Sequence, residues 1–419
     1  MSAAGSFRSP ARNQIDCSLA GIRKLLSRFN VPTWGLVLFL VGFVAAWETR
    51  LHRDILYFLL FLPVIVLMTK RDWRVLLGNH LIIGVFSFLS YLLLTMLWAS
   101  SVDLSEAVER IRHAVITLGF VLAVAWVVAN DPIWWQRFLW VAVPAAAAIF
   151  LISFWPYYTS GAVFSDRLVN VVFYHSNPNP AAVGFLPVFL ISCYALSSGC
   201  KRPIVLMAFI GLSASAAFLV LAQSRALLLA GFIGLLAMLV VRQRWWALVA
   251  AMLTAALVLG FWEVSDWTGR GLIERADSNR LGIWEGAVRL IGQSPFLGYG
   301  FGSEVPIETD SGREYLSPHN IWLMAGITGG VIGIVMLALV YFLGLRSAGR
   351  SVGDGVSGYV LVISLVLAGF VVINLDSHEI IRRVNPHLWI GLWFPLGLLV
   401  GLNIRRCAHD QGRICHTGA

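Results

Sequence analysis

"REYLSPHNIWLMAGITGGVIGIVMLALVYFLGL", Arg313 to Leu345, passes from charged and polar residues through Ser-Pro-His-Asn into a long apolar run without a charge. A bilayer demands such a run. Its hydrocarbon core of roughly 30 Å takes about 20 mostly apolar residues per helical span, with every backbone N–H and C=O satisfied inside the helix. The rest of the chain repeats the pattern. Of 419 residues, 58% are hydrophobic and 13% charged, and the mean hydropathy is +0.78, well outside soluble composition. The sequence therefore predicts an all-α polytopic membrane protein.

About twelve segments qualify as spans: residues 32–47, 54–69, 79–98, 113–130, 138–157, 180–198, 203–222, 225–241, 245–262, 319–345, 357–375 and 386–403. The 225–241 segment is short and follows its predecessor after only "QSR", so a single long kinked pair is the competing count. The chain then divides into a basic amphipathic N-terminal segment (1–31), a transmembrane domain (32–403) containing one long outer loop (263–318), and a tail (404–419). Lysine and arginine concentrate on the side that holds both termini, as in "SGCKRP" and "VRQRWW", so the positive-inside rule places both termini in the cytoplasm. Anionic lipid is partner enough for a pI near 9.6, and no nucleic acid is implied. Residues 18–29, "SLAGIRKLLSRF", read either as an amphipathic stretch on the inner membrane surface or as a solvated tail. The first apolar run begins too late for a cleavable signal peptide. Cys17, Cys200, Cys407 and Cys415 fall toward the inner side and Cys193 within a span, which leaves no outer pair for a disulfide.

The outer loop is far longer than a connector needs, and long loops in compact proteins are usually functional. Within it, "DSNRLGIWEGAVRLIGQSPFLGYGFG" predicts a helix with Asp277 and Ser278 as candidate N-caps, an apolar stripe of Leu281, Trp284, Ala287, Val288 and Ile291, and a Gly-rich stop. Arg280 lies on the edge of that stripe. It points either toward the protein or, as a snorkelling stem, into water. Arg225, in "LAQSRALLLAGFIGLL", opens a span, where a lone guanidinium is costly unless paired or interfacial. It is an interfacial anchor, or it forms an anion site with Ser224 as N-cap and the helix N-terminus. His319 sits at the same outer face; it is structural, or it is a base able to take a proton at neutral pH.

Together, "QSRALLLAGFIGLL", "SNRLGIWEGAVRLIGQSPFLGYGFG" and "SPHNIWLMAGITGG" resemble, in that order, the signature of the bacterial O-antigen ligase and polymerase superfamily, and specifically the O-antigen ligase of lipopolysaccharide assembly. The resemblance is densest over residues 170–345. It implies a GT-C type membrane glycosyltransferase of the inner membrane with its site facing the periplasm. Such an enzyme moves O-antigen from its undecaprenyl diphosphate carrier, the donor, to a sugar hydroxyl of lipid A-core, the acceptor. It also implies that Arg225 and Arg280 bind the diphosphate and that His319 activates the acceptor.

A metal is not called for: no Asp-x-Asp pair occurs, "ETD" at Glu308–Asp310 reads as a solvated loop, and the histidines lack ligand spacing. No cofactor is expected. Secondary candidates are Arg167, Asn177 and Asn320. Arg167 and Asn177 lie, with His175 and Asn179, in a stretch that also reads as a structural turn before a span. In "NLDSHEIIRRVNPH", which carries Asp376, His378, Arg382 and Arg383, Asp376 is a candidate for orienting His319 or an acceptor sugar. A polymerase or protein O-glycosyltransferase would share the donor and differ in acceptor, whereas a flippase or transporter would show broken helices and polar residues at mid-membrane.

Overall fold

The computed structural model describes residues 20–100, 102–161, 166–172, 177–253, 280–352, 358–376, 380–381 and 384–416. Among them, eight helices are long and apolar enough to cross a membrane. Two further pairs pass only if each bent pair counts as one span: α1 (Ala20–Arg28) with α2 (Val31–Ala45), and α3 (Thr49–Leu67) with α4 (Lys70–Leu77). The eight are α5 (His80–Trp98), α6 (Leu104–Asn130), α7 (Trp134–Thr159), α8 (Pro178–Ser197), α9 (Arg202–Leu221), α12 (Ile321–Ala348), α13 (Gly358–Leu375) and α14 (Pro386–Ala408). Between them stand the shorter apolar helix α10 (Arg225–Val241) and the amphipathic α11 (Arg280–Gln293). The chain is thus an all-α polytopic membrane protein.

The difference from about twelve expected spans has local causes. Helix α4 turns away from α3 by 105°, and its start is written in the sequence: Thr69 and Asp72 cap each other's backbone N–H groups in a capping box. Helix α10 is separate from α9, because Gln223 adopts a left-handed φ of 50° and turns the chain. At 17 residues and about 1.5 Å per residue, α10 is slightly short of a full crossing. The 245–262 segment is helical through residue 253 and then passes outside the described residues.

Helix α12 is not continuous. Gly330 has φ 60° and ψ −157°, a conformation open to glycine and not to a helical residue. The gap is filled by the Gly-rich segment after α11. Tyr299 and Gly300 donate their N–H groups to the carbonyls of Ile327 and Thr328 at 2.8 and 3.0 Å, and Val331 donates to Pro295 at 2.7 Å. The Tyr91 hydroxyl of α5 donates to the Gly329 carbonyl at 2.7 Å. A broken helix at membrane depth needs such replacement partners. "SPFLGYGFG" is therefore more than a helix stop; it docks the segment after α11 into the bundle. A Cβ on Gly330 would stand 2.3 Å from the Phe296 carbonyl oxygen. Gly330→Ala is expected to cost roughly 2–4 kcal/mol, seen as a lower thermal midpoint in detergent, whereas an unchanged midpoint would show that this docking contributes little.

Candidate active site at one end of the bundle

The Ser-Pro-His-Asn turn builds the site. Asn320, not His319, begins the helix: its side-chain oxygen accepts from the N–H groups of Trp322 at 2.9 Å and Leu323 at 3.2 Å. Its amide nitrogen donates to the Asn374 carbonyl at 3.2 Å, tying α12 to the end of α13. With the capping done by its neighbour, His319 is left in a left-handed conformation, φ 51°. Its backbone N–H donates to the Ser317 hydroxyl at 3.2 Å. The imidazole, 30% exposed, sets Nδ1 3.7 Å from Asp376 Oδ1.

Asp376 stands at the tip of α13, and a second imidazole lies against its other oxygen. His387 Nε2 is 3.3 Å from Asp376 Oδ2, and its side chain is only 4% exposed. Burial pushes the Asp376 carboxyl up, but the two imidazoles beside it, His319 and His387, outweigh burial and hold it well below the usual carboxylate range. Sequence reasoning missed His387. Its signal was the final histidine of "NLDSHEIIRRVNPH", hidden inside an Asn-Pro helix start: Asn385 caps the first turn of α14 through the His387 N–H. His378, Arg382 and Arg383 lie outside the described residues.

Arg280 is carried into the same neighbourhood by α11. The Trp284 indole donates to the Pro318 carbonyl at 3.0 Å, and Arg280, half-buried, is one turn earlier on the same helix. The buried face of α11 differs from the expected stripe. Ile283, Gly286 and Ala287 are buried, with Leu290 and Ile291 partly so, while Leu281 and Val288 are 60% and 58% exposed. Glycine sets the face: a Cβ on Gly286 would come 2.4 Å from the Glu308 carbonyl oxygen, so the helix seats where a side chain is missing. That seat is a small hairpin, β1 (Ile307–Glu308) with β2 (Glu314–Tyr315). Asp310 of "ETD" sits in its turn, 77% exposed and paired with Arg289 at 2.9 Å. The candidate caps Asp277 and Ser278 lie outside the described residues.

Arg225, half-buried, opens α10. Ser224 occupies the N-cap position, but its hydroxyl makes no capping bond, contrary to expectation. Its carbonyl instead accepts from Leu227 and Leu228. Three residues before Arg225, the Ala222 carbonyl accepts from Arg167 Nε at 2.8 Å, and the other end of that guanidinium reaches the Asn179 side-chain oxygen. Asn177 caps α8 by accepting the Asn179 N–H at 2.9 Å. Arg167, Asn177 and Asn179 thus form one bonded cluster beside the start of α10; His175 lies outside the described residues.

Helix directions put both groups at one end. α14 runs parallel to α6, with Gly397 against Val124 and Gly401 against Val128. It runs antiparallel to α13, with Gly358 against Leu402 and Gly369 against Gly391. α6 finishes at Asp131, which Thr33 at the start of α2 contacts at 3.0 Å, so His387 lies toward the opposite end. There, Asn170 donates to Val44 near the end of α2, and Leu168 donates to Leu221, just before Ala222. Arg225, Arg167, His319, Asp376 and His387 accordingly share the end of the bundle away from Asp131, and Arg280 joins them through Trp284. Among the described residues, no group of three or more His, Cys, Asp or Glu is arranged to hold a metal ion.

A family model described as O-antigen ligase (Wzy_C) matches residues 210–338, a stretch that contains Arg225, Arg280 and His319. An O-antigen ligase of Pseudomonas aeruginosa PAO1 is 26% identical over 407 residues, covering 91% of this chain and 93% of that protein. The chain is thus similar to O-antigen ligases, most closely over the stretch that carries these three residues. The O-antigen ligase family is of glycosyltransferase type and serves lipopolysaccharide biosynthesis, and a multi-pass membrane protein with a polar site at one bundle end fits it. The resemblance carried by the three sequence segments and the matched region coincide.

Proposed function

We propose that the protein transfers O-antigen polysaccharide from undecaprenyl diphosphate to a sugar hydroxyl of lipid A-core, at a site on the periplasmic face of the inner membrane. Both termini are cytoplasmic in this reading, and the architecture is of GT-C type. The observation that carries it is the His319–Asp376 contact at the bundle end where Arg225 and Arg280 also lie. Asp376 faces His319 through Nδ1, and Nε2 is the nitrogen that takes the proton of the acceptor hydroxyl in this reading. The hydroxyl oxygen attacks the anomeric carbon, the bond from that carbon to the phosphate oxygen breaks, and undecaprenyl diphosphate departs with the electron pair. Direct displacement inverts the anomeric configuration, as in single-displacement glycoside chemistry.

Diphosphate is a good leaving group once its charge is matched. Arg225 and Arg280 supply planar forks suited to phosphate oxygens. At about 4 Å and an effective dielectric near 20, each contact is worth up to roughly 4 kcal/mol of attraction before desolvation. To accelerate the reaction, that attraction must grow as charge develops on the departing group. Arg167, Asn177 and Asn320 act as supports: the first two fix the loop before α10, and the third fixes the turn that presents His319.

The experiment is reconstitution with purified undecaprenyl-diphosphate glycan and lipid A-core, with and without EDTA. Product formation is expected to be the same in both and to carry inverted anomeric configuration. Loss of product on chelation, restored by a divalent cation, would overturn the metal-independent mechanism. A polymerase or protein O-glycosyltransferase would share the donor chemistry and reveal itself by using another acceptor. The break in α12 is a feature shared with transporters, but loop backbone fills it. Glycan movement without a new glycosidic bond would support the transporter instead.

A further inference from the structure

Asp376 has two imidazole neighbours, and the reaction as proposed employs one. The other, His387, is buried, and both of its ring nitrogens face oxygens. Nε2 lies 3.3 Å from Asp376 Oδ2 and Nδ1 lies 3.2 Å from Asn385 Oδ1. That asparagine oxygen is fixed as an acceptor, because it also receives the His387 backbone N–H at 2.9 Å. With the one N–H of a neutral imidazole on Nδ1 for Asn385, Nε2 would set a lone pair 3.3 Å from a carboxylate oxygen without a hydrogen bond between them; the imidazolium keeps the Asn385 bond and turns that repulsion into attraction. The carboxylate between the rings, 11% exposed, also needs a compensating charge in such surroundings.

We infer that His387 is a positioning residue held as an imidazolium, which neutralises Asp376 so that His319, on the same carboxylate, stays a neutral base. The inference rests on the base role proposed for His319. Asp376 then orients His319 without drawing a proton onto it. With His387 made neutral, His319 is the remaining imidazole beside the carboxylate among the described residues. The protonated His319 is favoured, and the base becomes available only at higher pH.

At this end, α13 contributes Asp376, α12 contributes His319 and α8 contributes no ionisable side chain, while the first turns of α6 carry Glu106, Glu109, Arg110, Arg112 and His113, which pair among themselves as Arg110–Glu106, Arg112–Glu109 and His113–Glu109. The turn after His387 packs Trp389 on Phe39 of α2 and Phe120 of α6, and His52 stacks on Phe39. α11 brings Arg280, one turn from the Trp284 bond to Pro318. Glu379 lies, like His378, Arg382 and Arg383, outside the described residues.

The test compares pH–rate profiles of wild type and His387→Gln in lipid nanodiscs. The acid limb of kcat is expected to move up by about 1–2 pH units, so activity falls about tenfold or more near neutrality and recovers toward wild type in mild alkali. Adding Asp376→Asn should return the limb toward its original position at a lower rate. An unmoved limb in His387→Gln would overturn the inference. Nitrogen-15 NMR of the imidazoles of the wild-type protein reads the charge state without catalysis and serves if the variant does not fold. Two protonated nitrogens on His387 near neutral pH are expected, and one would overturn it. Full activity in His319→Ala would remove the base role itself, while the NMR result would still report the state of the His387–Asp376 pair.

Discussion

His319→Ala is expected to lower kcat about 10²- to 10⁴-fold, the usual worth of a positioned general base, while donor binding stays close to wild type. Three observations set this expectation. Asn320 already caps α12, so removing the imidazole leaves the helix start intact. The His319 ring, 30% exposed, faces Asp376 at the rim of the bundle end, so its removal deletes a polar contact and not a core side chain. Alanine also remains able to fill the turn, although the left-handed φ of 51° adds a modest backbone cost. A folded protein that binds undecaprenyl diphosphate and does not turn over is the predicted result. Full activity would remove the base from the mechanism. Partial recovery at high pH, where the acceptor hydroxyl needs less help, would support it.

Removing the guanidinium groups should be nearly as severe. Arg225→Ala and Arg280→Ala are each expected to reduce kcat about 10²- to 10³-fold, by analogy with deleting one donor that stabilises developing negative charge. Lysine at either position should restore part of the rate, because it keeps the charge and loses the planar fork. The double variant should fall short of the product of the two single losses, since both groups are proposed to serve one diphosphate. Assays at saturating donor separate weaker binding from slower chemistry. A loss confined to KM would mean that the arginines hold the donor without favouring its departure. Wild-type rates in either alanine variant would take that residue out of the donor site.

Much of this arrangement is legible in the sequence, for physical reasons. Hydrophobic runs reveal helices because a bilayer leaves the backbone few alternatives, and polar residues at span ends stand out against them; Arg225, Arg280 and His319 were visible for that reason. Contacts that depend on what is missing were harder to read. The buried face of α11 is set by Gly286 against the Glu308 carbonyl, whereas an apolar count favours Leu281 and Val288, which are exposed. Gly329 and Gly330 look like ordinary small residues of a membrane helix, and nothing local states that Tyr299 and Gly300 replace the lost hydrogen bonds. His387 sits in an Asn-Pro helix start, where local grammar explains it fully; its meeting with Asp376 requires α13 and α14 to lie antiparallel. Ser224 shows the opposite failure: it has the right residue type and position for a cap, yet its hydroxyl makes no capping bond.

The most direct measurement is a cryo-EM structure of the protein in nanodiscs with undecaprenyl diphosphate bound. Both guanidinium groups, of Arg225 and Arg280, are expected within about 3 Å of phosphate oxygens, with the His319 imidazole facing the space beyond the terminal phosphate where the first sugar would stand. A diphosphate held elsewhere, or held at this bundle end without either arginine, would contradict this arrangement.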